Sequence, residues 1–124
     1  MEKAAYGGVR LLLRLEGLAL LAGAAALYGV TGASWWLFAL LFLVPDLSML
    51  GYLAGSRIGA AAYNAAHATP GPVALGLIGW AAAPGVLPFA LIWLAHIGFD
   101  RALGYGLKYA SGFRDTHLGQ IGRG

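Results

Sequence analysis

The sequence predicts an all-α, polytopic membrane protein: a bundle of four transmembrane helices with both termini cytoplasmic. Three observations carry that expectation. Hydrophobic residues make up 60% of the 124 residues and charged residues only 10%, where soluble domains average about 25% charged. Four apolar stretches reach the roughly 20 residues that a hydrocarbon core requires. All eight Lys and Arg residues fall on, or nearest to, the same side of those stretches. Residues 1–124 are read as a single transmembrane domain, too short to hold a large soluble module besides its spans. The chain has no cysteine, which excludes a disulfide framework and a thiolate metal site.

The first span is expected over residues 11–30, ending in the turn-like Thr31, Gly32, Ala33 and Ser34. Its basic start and apolar run resemble a signal peptide, but Glu16 interrupts the run and three apolar segments follow, so it is read as retained. The second span, 35–55, opens on Trp35 and Trp36, whose amphipathic rings favour the headgroup level. Pro45 removes a backbone donor just before Asp46 and predicts a kink. The third span, 57–83, carries Tyr63, Asn64 and His67 and then meets Pro70, Gly71 and Pro72; one long bent helix is expected rather than two half-helices. The fourth, 86–109, leaves a polar tail at 110–124.

Four crossings put the N-terminus, the Ser56–Arg57 loop and the C-terminus on one side, and the other two loops carry no Lys or Arg. The positive-inside rule makes the basic side cytoplasmic, with a bacterial inner membrane as the expected location. The net charge of +3 is then accounted for by topology and anionic headgroups, and no nucleic-acid partner is required.

Within these spans lie Asp46, His67, His96 and Asp100. An ionised group in hydrocarbon costs several kcal/mol, about 2.5–3.5 for Asp on insertion scales, so each needs a partner, a metal or a wet cavity. At ~1.5 Å per residue, Asp46 lies roughly 13 Å and His67 roughly 15 Å from the cytoplasmic ends of their spans. His96 falls near the midplane, with Asp100 one turn closer to the cytoplasm. Asn64 shares a helix face with His67, as His96 does with Asp100. Three helices therefore deliver imidazole and carboxylate groups to one layer. That donor set suits a divalent Zn, Mn or Fe ion; a proton or ion relay, or simple pairing that lowers the cost of burial, uses the same residues.

Other positions are assigned supporting parts. Gly98, Ala102 and Gly106 recur every fourth residue, a spacing that lets membrane helices approach closely or a second copy dock, and Ala19 with Gly23 offers a similar contact on the first span. Arg101 is expected to pair with another helix or to snorkel to phosphate. Tyr105, Lys108 and Tyr109 read as an interfacial anchor. Asp115 and His117 either fold back over the site or form a solvated end, the second being favoured by their chemistry.

The segments PDLSMLGYLAG at 45–55, YNAAH at 63–67 and AHIGFDRALGYGLKYASGFRDTHLG at 95–119 resemble a family of small bacterial membrane proteins classified as a domain of unknown function. The resemblance covers nearly the whole chain and draws Phe113, Asp115, Thr116 and His117 towards the site. More distantly, an acid after a proline, a His on the next helix and a His with an Asp on a later one is similar to membrane-bound metal-dependent hydrolases, which carry a doubled His where this chain has Asn64 and His67. The expected function is metal-dependent hydrolysis of a lipid or lipid-linked substrate in the inner-leaflet half of the bundle. Asp46, His67, His96 and Asp100 are the metal ligands, Glu16, Asp115 and His117 the catalytic candidates, and Asn64, Arg101, Tyr105 and Lys108 the supporting residues. The alternatives are an oligomeric ion- or proton-handling or ligand-binding bundle, and a structural membrane subunit.

Overall fold

In the computed structural model, which describes residues 4–111 and 113–121, helices dominate. Helix α1 (Gly7–Thr31) is the longest and ends at Gly32, whose φ of 74° supplies the left-handed cap. Ser34 starts α2 (Trp35–Leu41), its side chain accepting from Trp36 N–H at 3.1 Å and so satisfying one of the donors orphaned at a helix start. A 3₁₀ segment follows over Val44–Ala54. Next come α3 (Ser56–His67), α4 (Pro70–Ala81) and α5 (Leu87–Leu103). Three stretches, Gly7–Thr31, Trp35–Ala54 and Pro84–Leu103, are long and apolar enough to cross a membrane. The exterior matches such a solvent, since Leu53, Trp36 and Trp80 are among many large apolar side chains left exposed.

The expected kink at Pro45 is a change of helix type. The 3₁₀ form runs for 11 residues, where such runs rarely exceed three or four. Pro45 has no N–H to continue an α-helix, and its carbonyl is taken by Ser48 Oγ at 2.7 Å.

The third segment differs from the single bent helix expected. It is two helices, because Ala68 turns extended (φ −103°, ψ 149°) and α4 restarts with proline in its first turn. Pro70 has no N–H to bond the Ala66 carbonyl and continue α3; Trp93 Nε1 donates to that carbonyl instead, at 2.6 Å, while Thr69, just before the proline, keeps helical angles (φ −70°, ψ −21°) as the start of α4.

The last helix is also shorter than expected, stopping at Leu103 instead of continuing to 109. Gly104 adopts φ 90° and caps it by donating to Arg101 and Asp100 carbonyls. The following residues are not a solvated end. They fold back as a short antiparallel pair, β1 (Asp115–Thr116) with β2 (Gly119–Gln120), and Lys108 bridges to Thr116. Lys108, Thr116 and Leu118 are buried. Long-range bonds hold this cap: Arg10 Nε donates to the Leu118 carbonyl, and Ala5 N–H to that of His117 at 2.7 Å.

Helices α1 and α5 form the most extensive helix pair and run antiparallel. They pack backbone to backbone at Gly17 and Gly98: a Cβ on Gly98 would lie 2.6 Å from the Gly17 carbonyl oxygen, and one on Gly17 2.3 Å from Arg101 Cβ. The small-residue contact of α5 is thus realised at Gly98, but its partner is Gly17. Ala19 and Gly23 are exposed, and nothing lies within 4 Å of a Cβ built on Gly23. Gly106 belongs to the cap, packed against His117.

Candidate metal centre

Asp46, His67, His96 and Asp100 meet. His67 Nε2 lies 3.0 Å from Asp46 Oδ1, 3.1 Å from His96 Nε2 and 3.4 Å from Asp100 Oδ2. His96 Nε2 lies 3.2 Å from Asp46 Oδ1 and 3.3 Å from Asp100 Oδ2. One donor atom from each residue can be chosen so that all lie within 4.8 Å of one another. The 3₁₀ segment supplies Asp46, the last residue of α3 supplies His67, and one face of α5 supplies the i, i+4 pair His96 and Asp100.

Hydrogen bonding fixes what these atoms offer. His67 Nδ1 is 2.8 Å from the Tyr63 carbonyl, which can only accept, so Nδ1 carries the proton and the neutral ring presents a bare Nε2 lone pair to the cluster. Two carboxylates converge on the same point. The nearest hydroxyl donor is that of Tyr63, 3.5 Å from Asp100 Oδ2, a long and weak contact. His96 Nε2 stands within 3.1–3.3 Å of the other three atoms; with its proton on Nδ1 it turns a second bare lone pair to them, and such acceptors repel unless a cation lies among them.

The spacing itself matches a coordination shell. Bonds of ~2.0 Å to a tetrahedral ion separate its ligands by ~3.3 Å. An octahedral ion with bonds of ~2.1 Å separates adjacent ligands by ~3.0 Å. Both values lie within the observed range, so Zn, Mn and Fe all fit the donor set.

The surroundings hold these four side chains in place. The Tyr63 ring lies flat on the His67 ring, centroids 3.7 Å apart and planes 7° from parallel. Phe42 packs edge-on against His96 at 5.3 Å, ending a run of rings that begins at Tyr28 on α1 and passes Phe38. His96 Nδ1 is buried without a hydrogen bond of good geometry. The side chains of His67, His96 and Asp100 are buried, whereas that of Asp46 is 30% exposed, making it the open edge of the cluster.

Each supporting residue has a defined place. Asn64 clamps the Lys108 backbone from both sides, its amide donating to the Lys108 carbonyl at 2.8 Å and its Oδ1 accepting from Lys108 N–H at 2.6 Å. Lys108 is no interfacial anchor: it is 3% exposed, its ammonium donates to the Phe113 carbonyl at 2.8 Å, and it sits 4.4 Å over the Tyr63 ring and 3.7 Å over that of Phe113. Arg101 pairs with another helix, donating to the His67 carbonyl at the end of α3 at 2.7 Å, and also to that of Tyr105 at 3.2 Å. Tyr105 itself is exposed.

The catalytic candidates are not among the four clustered residues. Glu16 is exposed on α1, and Asp115 accepts from Gln120 at 3.0 Å on the surface of the cap. His117 uses Nδ1 to accept from Leu107 N–H at 2.8 Å, which fixes the cap turn. Burial and the nearby Arg101 hold its pKa below that of a free imidazole. Sequence reasoning passed over one contributor, Tyr63, the plate beneath His67 that also carries the ammonium of Lys108 on its ring. The i, i+4 spacing of Tyr63 and His67 was the available signal.

No curated protein and no solved structure matches this chain. Residues 10–121 match a family described only as a domain of unknown function, and on that extent the chain belongs to the DUF4260 family.

Proposed function

We propose that this protein is an integral-membrane metal-dependent hydrolase whose divalent ion is held by Asp46, His67, His96 and Asp100. The observation that carries this reading is the convergence of four potential ligand atoms from three elements, five of their mutual separations falling between 3.0 and 3.4 Å. A divalent ion held there supplies hydroxide by lowering the pKa of bound water towards about 7. Asp46, the part-exposed ligand of this centre, would take up the water's proton; Glu16 and Asp115 are not among the clustered residues. In this reading α3 and α4 together make a third crossing, both termini are cytoplasmic, and the centre lies in the inner-leaflet half of a bacterial inner membrane. A lipid or lipid-linked molecule is the substrate that reaches it.

Elemental analysis of the detergent-purified protein tests the reading. About one Zn, Mn or Fe per chain is expected, lost in His67→Ala and His96→Ala, together with metal-dependent cleavage of a lipid panel that a chelator abolishes. Protein that neither retains nor rebinds a stoichiometric metal would falsify it. A second reading, a cation-handling bundle, is favoured by the fact that four protein donors already complete a tetrahedral shell. Asp100→Asn would then abolish cation flux in proteoliposomes, and unchanged flux would remove that reading.

A further inference from the structure

A cavity of about 540 Å³ lies beside the centre, on the side of α5 away from the Lys108 cap. Its walls come from the same elements that supply the ligands. Pro45 precedes Asp46, Ala66 precedes His67, and Ile92 and Trp93 stand one turn before His96. Leu75 of α4 closes the far side. The 3₁₀ geometry makes this division, because three residues per turn put Pro45 and Ser48 on the cavity face and leave Asp46 on another.

The wall chemistry selects the occupant. Only two side chains on it carry a polar atom, and both are satisfied internally: Ser48 Oγ donates to the Pro45 carbonyl at 2.7 Å, and Trp93 Nε1 to the Ala66 carbonyl at 2.6 Å. A polar ligand would leave its own groups unpaired here, at a desolvation cost that an alkyl chain does not incur. The volume falls in the range of small-molecule sites, about 300–1,000 Å³. The cavity also runs from the centre towards the start of α5, the direction in which the chains of an inner-leaflet lipid point in the topology proposed above.

We propose that this cavity is the chain subsite of the metal centre, taking one aliphatic chain of a membrane lipid whose polar head reaches the Asp46 edge. The head-group half of this statement rests on the hydrolase reading; the chain half does not.

Of the four tryptophans, Trp93 alone lines the cavity, while Trp35, Trp36 and Trp80 are exposed on the outer surface. Replacing those three by Phe leaves Trp93 as the reporter. In phosphatidylcholine vesicles, brominated acyl chains are expected to quench Trp93 as strongly as they quench a variant retaining only Trp80. Filling the cavity with Ser48→Leu and Leu75→Phe, or with Ala66→Leu alone, is expected to halve that quenching or more, with helical content and metal stoichiometry unchanged. Trp93 emission indifferent to bromination, or quenched equally in the filled and unfilled proteins, would overturn the proposal. Filling-sensitive quenching in a protein that binds no metal would retain the chain subsite and remove the hydrolase reading, whereas metal binding with an unquenched Trp93 would do the reverse.

Discussion

Tyr63 lies flat against His67, with ring centroids 3.7 Å apart and planes 7° from parallel, while its hydroxyl stands 3.5 Å from Asp100 Oδ2. The stack is the stronger of the two contacts, since a hydrogen bond at that length is close to none. Outer-layer residues that orient a metal ligand typically contribute 10–100-fold in affinity. Tyr63→Phe, which keeps the plate, is therefore expected to change zinc affinity less than about threefold. Tyr63→Ala, which removes it, is expected to weaken binding by about 10–100-fold. Isothermal titration in detergent separates the two, and an equal loss in both would show that the hydroxyl and not the ring positions the site.

Asp46 gives a test whose sign depends on the ion. With a divalent cation bound, Asp46→Ala breaks a charge pair in the span, a change that typically costs about 3–5 kcal/mol when buried and falls to the low end here because the group is part-exposed. Asp115→Ala, on the cap surface, is expected to leave the melting temperature nearly unchanged. After chelation the Asp46 effect should shrink or invert, because the cluster then holds acceptors with no cation between them and losing one relieves repulsion. A drop in melting temperature of the same size with and without chelator would argue that Asp46 has a purely structural partner.

The layer of Asp46, His67, His96 and Asp100 was legible because ionisable groups in hydrocarbon are costly and a fixed rise per residue turns position into depth. What escaped was local helix type. In a run as uniformly apolar as Val44–Ala54, no side-chain pattern distinguishes a three-residue turn from a 3.6-residue one, yet that difference lines Ser48 up with Pro45 and sets Asp46 on a different face. The break at Ala68 was signalled by Pro70, but a proline alone does not say whether a helix bends or stops. The cap was weighed only as the less favoured alternative to a solvated end, for another reason. It is held by Asn64 on α3 and Arg10 on α1, partners 44 and 108 residues away along the chain, and its own sequence reads as a polar end.

Gly98 and Gly23 make a contrasting pair for helix packing. A Cβ at Gly98 meets the backbone of Gly17 and Leu21 at 2.6 Å, atoms that cannot swing aside, so Gly98→Ala is expected to cost about 1–3 kcal/mol, as overpacked cores do. It should also weaken metal binding, since α5 would move with His96 and Asp100 on it. Gly23→Ala, in open space on α1, is expected to stabilise by about 0.5–1 kcal/mol through helix propensity. Melting temperatures of the two variants check this, and a neutral Gly98→Ala would mean that α1 and α5 are not in backbone contact.

Lys108 ties stability to alkaline pH. Burial lowers its ammonium from an ordinary 10.5 to about 8, against the opposing pull of Asp100 and Asp46. Between about 8 and 10.5 the unfolded chain therefore holds a proton that the folded chain has released. Stability rises with pH wherever the unfolded state binds more protons, so Lys108 makes the folded state gain stability as pH climbs from about 8 towards 10.5, and below 8 its contribution is a constant cost of burying the charge. His117, held below its ordinary value, titrates outside that window. Lys108→Met keeps the length of the stem without the charge, and is expected to lose the rise between pH 8 and 10.5 while the wild type retains it. Thermal melts of both proteins across that range read the difference directly. A wild-type profile that falls where the Lys108→Met profile is flat would mean that the ammonium stays charged over the Tyr63 ring, stabilised there by the carboxylates of the centre.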